Sequence, residues 1–174
     1  MEIDEIVRLV SALDGVLAQC PRPGDPGVPE IAWGDTFFCY APDGRLPRAQ
    51  PFATIVTKDY PGDAGSRLRA PHRFRLNIAV DAAAFAAHTG HPPRARVPAP
   101  DPAATDTLFA HPLYGAAGWL AVVNPGSRTA SVLPGLLRGA HAGAKRRQRP
   151  AHRPAGRLDD TETAMTNSPA DPGS

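Results

Sequence analysis

The sequence has few cysteines and no long apolar run, and these shortages limit the class of protein. Cys20 and Cys39 are the only cysteines, and they have neither C-x-x-C spacing nor a basic neighbour, which argues against a redox pair. We expect Cys39 to be a small buried side chain. No stretch approaches the ~18 apolar residues of a membrane span, and residues 1–5 are acidic with no apolar run behind them. A cytoplasmic protein with reduced thiols and no membrane partner is therefore predicted.

The signature motifs of several enzyme classes are also missing. The sequence contains no phosphate-binding G-x-x-x-x-G-K-[ST], no G-x-G-x-x-G between a strand and a helix, no H-E-x-x-H and no G-x-S-x-G. His88 and His91 lie three residues apart and on one helix could share a metal. Gly90 is expected to end that helix, and no cysteine or carboxylate nearby completes four ligands. We predict no metal site and no cofactor.

The net charge of +2 comes from the last thirty residues. Residues 1–144 contain 13 basic and 13 acidic side chains, whereas residues 145–174 contain six basic and four acidic ones. We predict a single α+β domain over residues 1–144 and a disordered tail over 145–174, basic and then acidic, because its polar second half, residues 159–174, has no hydrophobic anchor that could offset the entropy of ordering it. Its basic part, 145–157, is either a nucleic-acid contact or, in its first residues, the solvated end of the last helix.

The apolar pattern predicts short helices and strands joined by loops rich in proline. The predicted order is helix 3–13, strands 30–33, 36–40, 52–58 and 74–80, helix 82–88, strand 119–123, and a closing helix that begins near residue 129 or 131. Strand 74–80 alternates apolar with mostly polar residues, so one face should be buried and the other free for contacts. Hairpin connections favour an antiparallel sheet of about four or five strands with helices packed on one face.

The run 52–63 is the most distinctive segment. Lys58 is the only lysine of residues 1–144, and a desolvated lysine can act as a base or nucleophile. Its neighbour Asp59 would hold it charged if the two paired. The alternative, which we favour, is an ion pair at the strand end with a structural Tyr60 in the turn.

The run 111–119 is the second candidate, because aromatic rings beside glycines at a strand entrance could form the wall of a small-molecule pocket. The same rings could equally be packing anchors. Trp33 with Asp35, and Asn77 with Arg75, would add polar lining to this pocket if they faced the same side as the rings. The full set of candidate ligand-binding residues is Trp33, Asp35, Lys58, Tyr60, Arg75, Asn77, His111, Tyr114 and Trp119.

Several of these segments resemble an uncharacterised bacterial domain family. The resemblance lies in residues 33–35, 52–63, 74–78, 111–119 and 122–125, and it covers residues 3–147. That family has no established activity, so the resemblance implies a fold and no mechanism. The order of elements is similar, more remotely, to that of the MmcQ/YjbR-like proteins. This second resemblance implies a YjbR-like fold and DNA binding through a double-wing arrangement.

Three functions follow from these observations. We favour a binding module without catalytic activity, whose partner is an unidentified small molecule or protein and whose cleft lies on the polar sheet face. The second is a nucleic-acid-binding protein of the double-wing type that uses residues 145–157. The third is a small enzyme with Lys58, Tyr60 or His111 as acid or base.

Overall fold

Residues 1–98 and 100–148 are described by a computed structural model, and they form an antiparallel sheet with three α-helices. The class is therefore α+β, as predicted. The elements in chain order are α1 Ile3–Ser11, β1 Val16–Gln19, β2 Thr36–Tyr40, β3 Ala53–Val56, β4 Arg75–Ala79, α2 Ala82–Thr89, β5 Leu108–Ala110, β6 Trp119–Val123 and α3 Leu133–Gln148. No helix among these residues has the length and apolar character needed to cross a membrane.

The six strands lie in the order β1-β2-β3-β4-β6-β5, and every neighbouring pair is antiparallel. Strand β4 is central, with Asn77 opposite Thr54 of β3 on one side and opposite Ala121 of β6 on the other. Directly paired residues point to the same face of a sheet. Arg75, Asn77 and their cross-strand partners therefore share one face.

The opposite face carries the main core, which the helices cover. Leu76 and Ile78 of β4 are fully buried there, so their predicted orientation is confirmed. They belong to one apolar cluster with Ile6 of α1, Phe85 of α2 and Leu137 of α3. Each fully buried side chain of this size contributes roughly 1.5–3 kcal/mol, so this face supplies most of the apolar stabilisation.

The polar face is less free than the sequence suggested. A second apolar cluster lies on it, where Leu68, from the segment 57–73 that follows β3, packs with Val56 and Val123. Arg75 is only 2% exposed and Asn77 only 3%. The prediction that the polar side of β4 stays free for contacts is therefore wrong at the centre of the sheet, because the segment 57–73 covers it.

The strand count of four or five was also wrong. Two strands were not predicted, since β1 has four residues and β5 only three. Segment 30–33, predicted to be a strand, instead contains a 3₁₀ turn over Glu30–Ala32 after Pro29. Phe37 and Cys39 of β2 therefore pair with β1 and not with segment 30–33. Cys39 is buried, as expected.

The helix boundaries agree with the sequence pattern better than the strands do. The Asp81 side chain accepts a hydrogen bond from the Ala84 backbone N–H at 2.8 Å at the start of α2, and Gly90 ends that helix with a positive φ of 77°. Helix α3 begins at Leu133 and continues to Gln148, so the first basic residues after 144 are helical. The rest of the predicted tail, 149–174, lies outside the described residues, and the division into domain and tail stays a prediction.

Candidate ligand-binding cleft

A cleft of about 330 Å³ opens on the sheet face that the helices leave uncovered. Its walls are mostly apolar and aromatic, and its floor is polar. Small-molecule sites in proteins have this composition and start at about this volume. The residues that line it are Phe37, Gln50, Pro51, Thr54, Val56, Tyr60, Pro61, Asp63, Arg75, Asn77, His111, Leu113, Tyr114 and Trp119.

The floor is built around a buried ion pair. Arg75 Nη1 donates to Asp63 Oδ1 at 3.0 Å, and Arg75 Nη2 donates to Asp63 Oδ2 at 2.5 Å, which makes the pair bidentate. Burial by itself would raise the pKa of Asp63. The hydrogen bonds and charge of Arg75 outweigh that effect, with a smaller contribution from His111, and hold this pKa below its usual value. Asp63 is therefore ionised at neutral pH, and it neutralises the guanidinium.

The remaining hydrogens of Arg75 connect the pair to the sheet and to the segment 57–73. Arg75 Nε donates to Asn77 Oδ1 at 2.9 Å, and Nη1 also donates to Ser66 Oγ at 2.9 Å. Asn77 Nδ2 in turn donates to Thr54 Oγ1 at 2.9 Å on the neighbouring strand. This chain of bonds crosses β3 and β4 and fixes the orientation of each polar group in the floor.

His111 lies at the edge of the floor, just beyond β5, and is 4% exposed. Its Nδ1 accepts hydrogen bonds from the backbone N–H groups of Leu113 at 3.1 Å and Tyr114 at 3.2 Å. Its Nε2 lies 3.2 Å from Arg75 Nη2 and 3.9 Å from Asp63 Oδ2. Burial and the charge of Arg75 lower the pKa of His111 to about 4, against the opposing effect of Asp63, so the ring is neutral at pH 7.

A tight turn places the aromatic wall beside His111. A 3₁₀ turn over Gly115–Ala117 leads to Gly118, whose φ is +84° and whose position leaves no room for a side chain, because a Cβ there would lie 2.9 Å from the Val80 carbonyl oxygen. The ring of Tyr114 consequently lies 4.9 Å from the His111 ring and 6.4 Å from the Trp119 ring, between centroids. Tyr114 is 54% exposed, so the wall is open to solvent at the rim.

Tyr60 joins the cleft to a second buried carboxylate behind it. Its hydroxyl donates to Asp35 Oδ2 at 2.5 Å, and burial together with this bond raises the pKa of Tyr60. Asp35 Oδ1 accepts from Lys58 Nζ at 3.1 Å and from both the backbone N–H and the hydroxyl of Thr57. Lys58 Nζ also donates to the Trp33 carbonyl oxygen at 2.5 Å.

Lys58 therefore forms an ion pair near the strand end, as favoured from the sequence, although its partner is Asp35 and not Asp59. The carboxylate of Asp59 instead accepts from the Leu68 backbone N–H at 2.8 Å and lies 3.9 Å from Arg69 Nε. Asp35 is fully buried. The pair therefore fixes the segment after β3 to the start of β2.

Six of the nine candidate residues line the cleft. They are Tyr60, Arg75, Asn77, His111, Tyr114 and Trp119. Trp33, Asp35 and Lys58 do not line it: Asp35 accepts the hydrogen bond of the Tyr60 hydroxyl, and Lys58 connects Asp35 to the Trp33 carbonyl oxygen. Asp63, Ser66 and Thr54 also belong to the site and were not predicted, although Asp63 ends the distinctive run 52–63.

The described residues contain no group of three or more histidine, cysteine, aspartate or glutamate side chains placed to hold a metal ion. His91 instead packs edge-on against Phe85, with 5.7 Å between ring centroids, and its Nδ1 lies 3.0 Å from the Pro92 carbonyl oxygen.

Comparison with known proteins identifies the family. A search of curated proteins and a search of solved structures each found no match. Residues 1–153 match a family of unknown function, DUF6194, which spans all the described elements and the whole cleft. The expectation of an uncharacterised domain family is thereby confirmed, and the chain belongs to DUF6194.

Proposed function

We propose that this protein is a binding module without catalytic activity and that it holds a small organic molecule in the cleft. The observation that carries the proposal is the combination of three aromatic walls, Tyr60, Tyr114 and Trp119, with a floor that is buried and already neutralised by the Arg75–Asp63 pair. A preformed apolar cleft with a few fixed polar groups is the usual form of a small-molecule site.

The geometry supports an enzyme that uses Lys58 or Tyr60 less well than it supports a binding module. The Lys58 ammonium is bonded to Asp35 and to a carbonyl oxygen, and the Tyr60 hydroxyl donates to the same carboxylate. Since the pKa of Tyr60 is raised, its phenolate does not form near neutral pH. His111 is the one proposed acid or base whose ring lies at the cleft floor.

Nucleic-acid binding through residues 145–157 has no specific support in the described part of the chain. Lys145 Nζ donates to Asp14 Oδ2 at 2.9 Å and lies 5.7 Å from the centre of the Tyr40 ring. A cytoplasmic location and a remote relation to the MmcQ/YjbR-like fold remain parts of the proposal. The first is supported by the two unpaired thiols, and the second by the order of helices and strands.

The two tryptophans provide a direct test. Trp119 lines the cleft and Trp33 does not, so their indole N–H signals in a ¹⁵N–¹H NMR spectrum should respond differently to a molecule in the cleft. We expect uncharged bicyclic probes (indole, coumarin and 1-indanone) to shift the Trp119 signal in a saturable manner and the Trp33 signal much less. A Trp33→Phe variant assigns the two signals.

A pair of matched variants locates the site. Tyr114→Ala removes an exposed wall residue and should weaken each probe about tenfold, since an aromatic contact contributes roughly 0.5–1.5 kcal/mol beyond its buried area. Leu46→Ala, a substitution at a residue that is 58% exposed and does not line the cleft, should leave affinity unchanged. Equal shifts of both tryptophans, or equal affinities in the two variants, would show that the probes bind elsewhere.

A further inference from the structure

The immediate neighbours of the His111 ring nitrogens are all hydrogen-bond donors. Two backbone N–H groups, those of Leu113 and Tyr114, point at Nδ1, and the guanidinium of Arg75 points at Nε2. Arginine has five N–H hydrogens and no acceptor. Four of those on Arg75 are taken by Asn77, Ser66 and the two oxygens of Asp63, and the fifth is directed at His111.

A neutral imidazole must carry one proton, and that proton therefore faces a donor at either nitrogen. The two backbone donors at Nδ1 are fixed by the turn that holds Tyr114, and an Nδ1 proton would oppose both of them. A proton on Nε2 would point toward only one other donor, the remaining N–H of Arg75. We infer that the proton lies on Nε2, where the nearest carboxylate oxygen, Asp63 Oδ2, is 3.9 Å away and too far for a hydrogen bond.

Two buried donors, His111 Nε2–H and the fifth N–H of Arg75, thus converge at the cleft floor without an acceptor among the described residues. A buried donor that lacks a partner costs free energy, and one oxygen with two lone pairs can accept from both. The geometry points to a carbonyl oxygen of the bound molecule as that acceptor, on an uncharged flat ring held between Tyr60, Tyr114 and Trp119. This inference rests on the proposed function and specifies its ligand class.

The charge of the floor is the reason for choosing a carbonyl over a carboxylate or phosphate. Asp63 already neutralises Arg75 through a bidentate contact, and its Oδ2 lies 3.9 Å from the same His111 nitrogen. An anion placed on the two donors would therefore lie close to an ionised carboxylate in a poorly hydrated site, which is unfavourable. A carbonyl oxygen accepts the same hydrogen bonds without this repulsion.

The first test measures the tautomer in the full chain without any added compound. Long-range ¹H–¹⁵N spectra of histidine distinguish a protonated Nε2 from a protonated Nδ1. We expect His111 at pH 7 to have a bare Nδ1 and a protonated Nε2. A protonated Nδ1 would overturn the inference, because His111 would then accept the bond from Arg75 and leave no converging donors.

The second test compares three compounds of one shape, followed through the Trp119 indole signal. 1-Indanone carries the carbonyl, indane lacks it, and indane-1-carboxylate replaces it with an anion. We expect 1-indanone to bind about tenfold more tightly than indane, as one to two hydrogen bonds predict, and no more weakly than the carboxylate. In the spectrum, the His111 Nε2 proton should move only with 1-indanone or the carboxylate.

The outcomes separate the two proposals. If indane and 1-indanone bind equally and both shift Trp119, the cleft binds small molecules but the donor pair does not select a carbonyl. If the carboxylate binds most tightly, the inference of an uncharged ligand is wrong. If none of the three shifts Trp119, the proposed function fails as well. As a control, Leu113→Ala removes apolar lining and should weaken indane and 1-indanone by the same factor.

Discussion

Replacing Asp63 by asparagine tests whether the ion pair in the cleft floor is as buried as the structure indicates. The substitution keeps the size of the side chain, removes its charge and replaces one carboxylate oxygen by an NH₂ group. Arg75 then loses one of its two acceptors on this residue and faces a donor in its place. The guanidinium stays charged, because arginine does not lose its proton in proteins.

The size of the effect follows from burial. Arg75 is 2% exposed and Asp63 is 6% exposed, so water can replace only a small part of the lost contact. Removing one partner of a buried pair costs about 3–5 kcal/mol, whereas breaking an exposed pair costs about 0–1 kcal/mol. A domain of this size is stable by roughly 5–15 kcal/mol, so the expected loss is a large part of the total.

Urea denaturation followed by circular dichroism measures the loss. Asp43→Asn is the matched control, since Asp43 is exposed on a turn and its side chain only accepts from the Arg45 backbone N–H at 3.1 Å. It should leave the unfolding midpoint unchanged. In the double variant Asp63→Asn/Arg75→Met, the unpaired charge is gone, so the two changes together should cost less than the sum of the single ones.

A loss below about 1 kcal/mol for Asp63→Asn would refute this reasoning, because it is the value of a solvated pair. It would mean that the segment 57–73 opens readily enough for water to reach Arg75. The floor would then not be preorganised, and the proposed binding site would lose its main support.

Three further predictions use the same denaturation assay. Because the pKa of His111 is lowered from 6.5 to about 4, the unfolded chain binds a proton between these values that the folded chain does not, so stability should fall by about 3 kcal/mol from pH 7 to pH 4. His111→Gln should abolish that part of the slope, and an unchanged slope would contradict the assignment. Tyr60→Phe leaves Asp35 Oδ2 without its phenol donor and should cost about 1–3 kcal/mol, so a neutral result would show that water replaces the hydroxyl. Leu76→Ala should cost about 2–5 kcal/mol through the cavity it creates, while the exposed Leu46→Ala costs little, and similar losses would place Leu76 outside the core.

The fold was predictable wherever a strand was long enough to show alternation. Strand β4 has five residues between clear turn signals, and its side chains were assigned to the correct faces, although the polar face is buried as well. Strands β1 and β5 have only four and three residues, which is too short for a periodic pattern to show. Segment 30–33 contains an isoleucine and a tryptophan, as a strand would, but Pro29 and the bonds of a 3₁₀ turn decide its conformation.

The site was predictable in composition but not in arrangement. Aromatic residues in the run 111–119 were recognised because rings beside glycines can form the wall of a pocket, and polar ones on β4 because they alternate with apolar residues. The role of Asp63 could not be found in this way, since an aspartate after Pro61 and Gly62 is typical of an ordinary turn. Only the packing of the segment 57–73 onto the sheet brings its carboxylate to Arg75. A polar strand face gives the same sequence pattern whether it meets water or a covering loop.

Arg75 couples ligand binding to folding stability, because one side chain serves both. Its side chain extends from the centre of the sheet, binds Asp63 and Ser66 of the segment 57–73, and reaches His111 beyond β5. The same guanidinium thus holds two loops together and forms the floor of the cleft. Substitutions in the floor should therefore change affinity and stability together. A wall residue such as Tyr114, which is half exposed, should change affinity with little effect on folding, so only wall variants can measure binding separately.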